Sequence, residues 1–260
     1  MRTALTIAGS DSGGGAGIQA DLKTFAAHEV YGVCAVTAVT AQNTLGVTTT
    51  DPVRTTVVAA QIDAVLADFD VLAIKTGMLA TSAIVAAVCD LLEAYPGVPV
   101  VVDPVLVSTS GHRLLDDQAL ALVRTRLLPR AALLTPNRRE AEVLAGQPIT
   151  TRQHAADAAA RLREMGAAAV VVTGGDQDGP DAVDLLDDGH GVSELRGRKL
   201  DSRATHGTGC TFSAAIAAHL ARGAALGDAV VAAKRYVEAA IDHAHPLGRG
   251  YGPLNHFWNK

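Results

Sequence analysis

Short runs of continuous apolar residues recur along this chain, and each is followed by a longer alanine-rich stretch with helical periodicity. The apolar runs at 4–8, 33–41, 71–75, 99–103, 132–135 and 169–173 predict strands. The stretches at 18–27, 55–69, 83–94, 118–127, 139–144, 154–165, 209–222 and 228–244 predict helices. Strands that are apolar throughout, rather than alternating, are buried on both faces, as in a parallel sheet covered by helices. The strand–helix alternation predicts a doubly wound α/β fold with right-handed crossovers. Residues 182–200 break the rhythm. Their polar alternation around Asp187-Asp188-Gly189-His190-Gly191 predicts a small antiparallel hairpin at the sheet edge. With no internal repeat, linker or shift in composition, residues 1–260 read as a single domain.

Composition narrows the setting. A chain of 260 residues, 48% apolar, supports a substantial core. A net charge of −5, with Lys and Arg scattered singly, argues against nucleic-acid and membrane-surface partners. Cys34, Cys89 and Cys210 are odd in number and widely spaced, which fits neither a disulfide framework nor a zinc site and predicts a reducing cytoplasm. The first strand is too short, and too soon interrupted by Gly9, for a signal peptide. No apolar run approaches the roughly 20 residues needed to span a bilayer.

In such sheets ligands gather at the carboxyl ends of the strands. Gly9-Ser10-Asp11, Gln42-Asn43, Asp103-Pro104, Pro136-Asn137 and Gly174-Gly175 all fall there. Near the C-terminus, Gly207-Thr208-Gly209-Cys210 turns into a helix whose first N–H groups lie at the positive end of its dipole, a place that holds phosphate or a developing anion. A thiol there is expected to have its pKa lowered from about 8.5; an ordinary loop–helix junction with a small cysteine is the alternative. The glycines of 9–17 allow close backbone approach. A dinucleotide fingerprint wants an acid about 20 residues further on, and neutral Gln42 ends the next strand instead. No P-loop motif is present. Asn137 and Glu140, three apart at a helix start, share one face. They can hold Mg²⁺ waters or simply cap the helix, and Asp103 at a neighbouring strand end favours the metal.

Together these motifs resemble the hydroxymethylpyrimidine kinases of thiamine biosynthesis, relatives of vitamin B6 kinases in the ribokinase superfamily. The resemblance is carried by residues 8–24, Thr40-Ala41-Gln42-Asn43-Thr44, Lys75-Thr76-Gly77-Met78-Leu79, Asp103-Pro104-Val105, Thr135-Pro136-Asn137-Arg138-Arg139-Glu140-Ala141 and residues 250–256, and it spans the chain. It implies a ribokinase-like fold and transfer of the ATP γ-phosphoryl group to 4-amino-5-hydroxymethyl-2-methylpyrimidine, then to its monophosphate. It further implies that Gln42, Gly9, Asp21 and Met78 bind the pyrimidine. Gly207, Thr208, Gly209 and Cys210 would surround the transferring phosphoryl group. Asn137, Thr173, Gly175 and Lys234 would serve the nucleotide, Asp103 and Glu140 would hold Mg²⁺, and the chain would form a homodimer. Two departures stand out. Most ribokinase-like enzymes place aspartate where this chain has Cys210, so the thiol is either the base or an anion-hole member acting through its N–H. Many relatives carry lysine where Thr173 stands, but some dual-specificity B6-type relatives share the threonine. A pyridoxal kinase therefore stays open as the alternative, and a non-catalytic ligand-binding relative is more remote. Residues 108–112 have the composition of a closing loop.

Overall fold

The computed structural model describes residues 1–106, 116–174 and 181–259. The chain runs through β1 (Thr3–Asp11), α1 (Gly17–Ala27), β2 (Tyr31–Asn43), β3 (Gly46–Pro52), α2 (Thr55–Asp68), β4 (Val71–Thr76), α3 (Ser82–Glu93) and β5 (Val100–Val102). It continues through α4 (Asp117–Leu122), β6 (Ala131–Leu134), α5 (Arg138–Ala145), α6 (Arg152–Glu164), β7 (Val170–Val172), β8 (Asp181–Asp187), β9 (Val192–Arg198), α7 (Thr208–Ala221) and α8 (Leu226–Asp242). Among the described residues the strands form one sheet in the order β3-β2-β1-β4-β5-β6-β7-β8-β9. From β2 to β7 neighbouring strands are parallel, whereas β3, β8 and β9 each pair antiparallel.

Alternate residues of the central strands explain their continuous apolar runs. Val100 and Val102 point to the face covered by α2–α6, where they meet Leu5, Ile7 and Leu134. Val101 points to the opposite face, where Ala4, Leu133 and Val171 pack under α1, α7 and α8. Each strand residue is thus enclosed from one side or the other, and the doubly wound expectation holds.

Two elements differ from expectation. β3 extends the second edge of the sheet; its Val47-Thr48-Thr49-Thr50-Asp51 core is largely exposed and carries no apolar period, as suits an edge strand. The helix expected over 118–127 leaves α geometry at Val123, passes through a π turn (Val123–Leu127) and ends in a 3₁₀ turn (Leu128–Arg130). Pro129 lacks an N–H and its ring crowds the carbonyl four residues back, so an α-helix cannot run through it. No helix among the described residues is long and apolar enough to cross a membrane.

Candidate active site

A cavity of about 220 Å³ opens at the carboxyl ends of β1, β2, β4, β5, β6 and β7, closed on one side by the start of α7. Its wall includes Gly9, Gln42, Met78, Lys75, Thr173 and Cys210, residues that the chain brings together from β1, β2, β4, β7 and the start of α7.

One side is organised around Asp11. Its carboxylate accepts the backbone N–H groups of Gly13 (2.8 Å), Gly15 (3.0 Å) and Ala16 (2.9 Å). The glycine-rich loop therefore turns these amides inward onto its own aspartate. His206 Nε2 completes the set at 2.8 Å. Burial alone would raise the Asp11 pKa, but the His206 bond and the Gly13 and Ala16 amides outweigh it and hold the carboxyl below its ordinary value. The loop fits closely against the α7 entry. A Cβ at Gly207, whose φ is +85°, would fall 1.8 Å from the Gly15 carbonyl oxygen, so no other residue suits that position. The tail locks this joint: the His206 N–H donates to Gly252 O (3.0 Å), and the Tyr251 N–H donates to Thr44 O (2.9 Å). Gln42, half-buried, hangs its amide between Thr40 and His206. Met78 lies over Gly9, where a Cβ would stand 2.5 Å from the methionine methyl.

The other side is ionic. Lys75, fully buried at the end of an apolar strand, donates to both carboxylate oxygens of Asp21 at 2.9 Å and stands 3.7 Å from Asp103. Asp103 also accepts from Ser213 Oγ (3.1 Å) and from the Cys210 thiol. Burial by itself would lower the Lys75 pKa, yet the Asp21 and Asp103 carboxylates and the neighbouring Cys210 more than reverse this and keep it above its ordinary value. The acids respond the other way: burial raises Asp21 and Asp103, with Lys75 offsetting only part. Here one cation faces two carboxylates and a thiol.

That ionic side corrects the expectation for Cys210. Burial pushes its pKa up to about 12, with Asp103 and Asp21 adding to the rise and Lys75 opposing it. The α7 start does not lower it, because desolvation beside two acids outweighs a partial helix charge. The anion-hole expectation fares differently: the amides of Gly209 and Cys210 have no acceptor among the described residues. Gly207, Thr208, Gly209 and Cys210 all line the cavity.

Other expected site residues divide. Gly9, Gln42, Met78, Asp103, Asn137, Glu140 and Thr173 reach the cavity wall. Asp21 does not. It is fully buried behind Lys75, bonded by Thr6 Oγ1 (2.6 Å), and so acts on the cavity through the lysine. Lys234 is likewise absent from the wall: it donates to Asp184 Oδ2 (2.8 Å), while Asp184 Oδ1 accepts the Gly174 N–H (2.9 Å), so the lysine braces the loop after β7 from behind. Asn137 and Glu140 form a reciprocal capping box for α5, with both backbone–side-chain bonds at 3.0 Å, and Glu140 Oε1 also accepts the Leu106 N–H (3.2 Å). No three His, Cys, Asp or Glu side chains converge as a metal cluster among the described residues. Gly175 and the loop at 108–112 lie outside the described residues. Asp11 was expected only as one of the strand-end residues, and Lys75 and His206 had no expected role in the site. A lysine ending an otherwise apolar strand was the legible sign for Lys75.

Residues 11–255 match the model of the family described as phosphomethylpyrimidine kinase. A hydroxymethylpyrimidine/phosphomethylpyrimidine kinase of Synechococcus elongatus is 50% identical over 259 residues, covering 98% of this chain and 97% of its own. Among solved structures, an ADP complex of Bacillus subtilis pyridoxal kinase superposes with a TM-score of 0.92 at 40% identity, over 98% of this chain and 97% of that one. The phosphomethylpyrimidine kinase of Clostridium difficile gives 0.83 at 38% identity, over 93% and 100%. The ionic side, the inward-turned glycine loop and the open amides of the α7 start thus stand in a chain that belongs to the phosphomethylpyrimidine kinase family.

Proposed function

We propose that this chain transfers the γ-phosphoryl group of ATP to 4-amino-5-hydroxymethyl-2-methylpyrimidine and then to its monophosphate. One observation carries this reading: a single cavity has a half-buried amide, Gln42, on one side and the unpartnered amides of Gly209 and Cys210 on another. A side-chain amide complements the donor–acceptor edge of an aminopyrimidine with two hydrogen bonds. Backbone N–H groups at a helix start stabilise the charge on a phosphoryl group in flight. Phosphoryl transfer needs positioning, charge neutralisation and a place for the hydroxyl proton. As the acceptor oxygen bonds to phosphorus and the ADP oxygen leaves, the proton passes to Cys210 sulfur, whose own proton moves to Asp103. The thiol already donates to that carboxylate, and burial favours its protonated form.

Mg²⁺ suits the donors present. It keeps several waters and takes one or two carboxylates beside phosphate oxygens rather than a full protein cage. Asp103 and Glu140, both on the cavity wall, can supply those carboxylates. A homodimer belongs to the same reading, supported by the exposed β3 edge and by Val39 on β2, which is 52% exposed.

A coupled assay for ADP with the pyrimidine alcohol tests the reading, and no turnover with pure protein, Mg²⁺ and ATP defeats it. Gln42→Ala raises KM for the pyrimidine while KM for ATP holds. Cys210→Ala lowers kcat on the order of 10²-fold or more, the scale of a lost proton acceptor. Side-by-side kcat/KM values for the pyrimidine alcohol and pyridoxal separate this activity from that of the B6-kinase relatives.

A further inference from the structure

The turn that opens α7 carries the open amides of the cavity. Gly207 begins the helix at φ +85° with no side-chain cap, and beyond it the Gly209 and Cys210 N–H groups have no acceptor among the described residues. The glycine loop at 11–17 packs directly against this turn. The Gly15 carbonyl oxygen fills the space that a Cβ on Gly207 would take. The Gly17 N–H reaches the Cys210 sulfur. Between these contacts, His206 Nε2 lies 2.8 Å from Asp11 Oδ2. We propose that His206 is a positioning residue: by tying the turn to Asp11, it holds the Gly209 and Cys210 amides where the phosphoryl group is transferred.

The assignment follows from what anchors each end of that contact. An ionised carboxylate only accepts, so the His206 nitrogen facing Asp11 carries a hydrogen and gives it to Asp11 rather than to a ligand. Asp11 is itself fixed, with Oδ1 taking the Gly13 N–H and Oδ2 the N–H groups of Gly15 and Ala16. Oδ2 therefore joins the loop amides to the imidazole through a single atom. Gln19 steadies the same carboxylate from behind: its Oε1 accepts the Asp11 N–H (2.9 Å) and its Nε2 donates to Ser10 Oγ (2.7 Å). The position of the loop is thus passed to the residue next to Gly207.

The ring has little room to move. A Cβ at Gly15 would come 2.4 Å from it, and its backbone pairs with Pro253 and Gly252 on the tail. Amides that stabilise a phosphoryl group in flight act only at the right place, and a displacement of about 1 Å costs on the order of 10²-fold in rate. Loss of the His206 contact therefore falls on the transition state more than on the binding of ATP. This inference rests on the proposal that the Gly209 and Cys210 amides meet the transferring phosphoryl group.

Calorimetry with ADP, Mg²⁺ and the pyrimidine alcohol, with and without aluminium fluoride, tests it, because the fluoride imitates the planar group in flight. The native protein binds ADP far more tightly when fluoride is present, as a mimic of the transition state should. In His206→Leu that fluoride effect shrinks on the order of 10²-fold and kcat falls to match, while ADP without fluoride binds as before. His206→Gln, which can place an N–H where Nε2 stands, restores most of both. Should His206→Leu fail to fold, Gly15→Ala takes its place, since its Cβ drives the ring off Asp11 with both partners still present. A His206→Leu protein that keeps the native fluoride effect overturns the proposal. So does one that only raises KM for the pyrimidine, or a His206→Gln protein no better than His206→Leu. The two levels separate in the native protein. If fluoride adds nothing to ADP binding there, the amide-hole reading itself fails; if it does, and the His206 variants share it in full, the positioning alone fails.

Discussion

The β1–β2 side of the cavity and the β4–β5–α7 side hold buried charge in opposite ways. On the first, Asp11 is encircled by backbone amides and His206, and that surplus of donors keeps it ionised. On the second, Lys75 faces Asp21, Asp103 and the Cys210 thiol, so acids outnumber cations and burial pushes those acids toward their protonated forms. A carboxylate with surplus donors makes a stiff, directional wall. A cluster with surplus acids is a place where a proton can shift at small cost. Recognition and proton handling thus occupy one cavity under different local rules.

The sharpest way to break this contrast is Lys75→Met, which leaves two buried carboxylates without their cation. We expect a loss of about 3–5 kcal/mol in urea unfolding at neutral pH. The folded-state pKa values of Asp21 and Asp103 are already raised and rise further in the variant. Their stabilising contribution is greatest below the unfolded value near 4 and is lost as pH climbs through the folded values. The variant therefore recovers stability as the buffer is taken from pH 7 toward 5, and a flat profile would contradict the surplus-acid description. Asp11→Asn comes next, at roughly 1–3 kcal/mol, because an amide oxygen cannot replace the ionised acceptor for all its donors. Here the sign reverses. The folded pKa is lowered, so the contribution is present above about pH 4 and fades as pH falls through the folded value; the gap between variant and native protein narrows in acid. Smallest is Asn137→Ala, which removes half of the α5 capping box at about 1 kcal/mol with little pH dependence between 6 and 8. Equal losses at Lys75 and Asn137 would erase the distinction between a charged cluster and an ordinary cap.

The strand–helix frame was legible because each buried strand announces itself in four or five apolar residues. The stretch β3 was not, since an exposed edge needs no apolar period. Chemistry at strand ends was also legible: Gln42, Asp103, Asn137 and Thr173 do reach the cavity. Pairings across long separations were not. Nothing local to Asp21 tells that Lys75, 54 positions away, covers it, or that His206 closes on Asp11 across 195. The thiol misled for the same reason, because its helix start is visible in sequence while the acids beside it arrive from α1 and from the end of β5.

The tail adds a matter of timing. His206 is held by Gly252 and Pro253, Thr44 by Tyr251, and Thr211, next to Cys210, by His256 at 3.0 Å. A chain made from its N-terminus lays down the whole sheet before residues 250–256 exist. Until that segment is made, the contacts that brace His206, Thr44 and Thr211 from the tail cannot form.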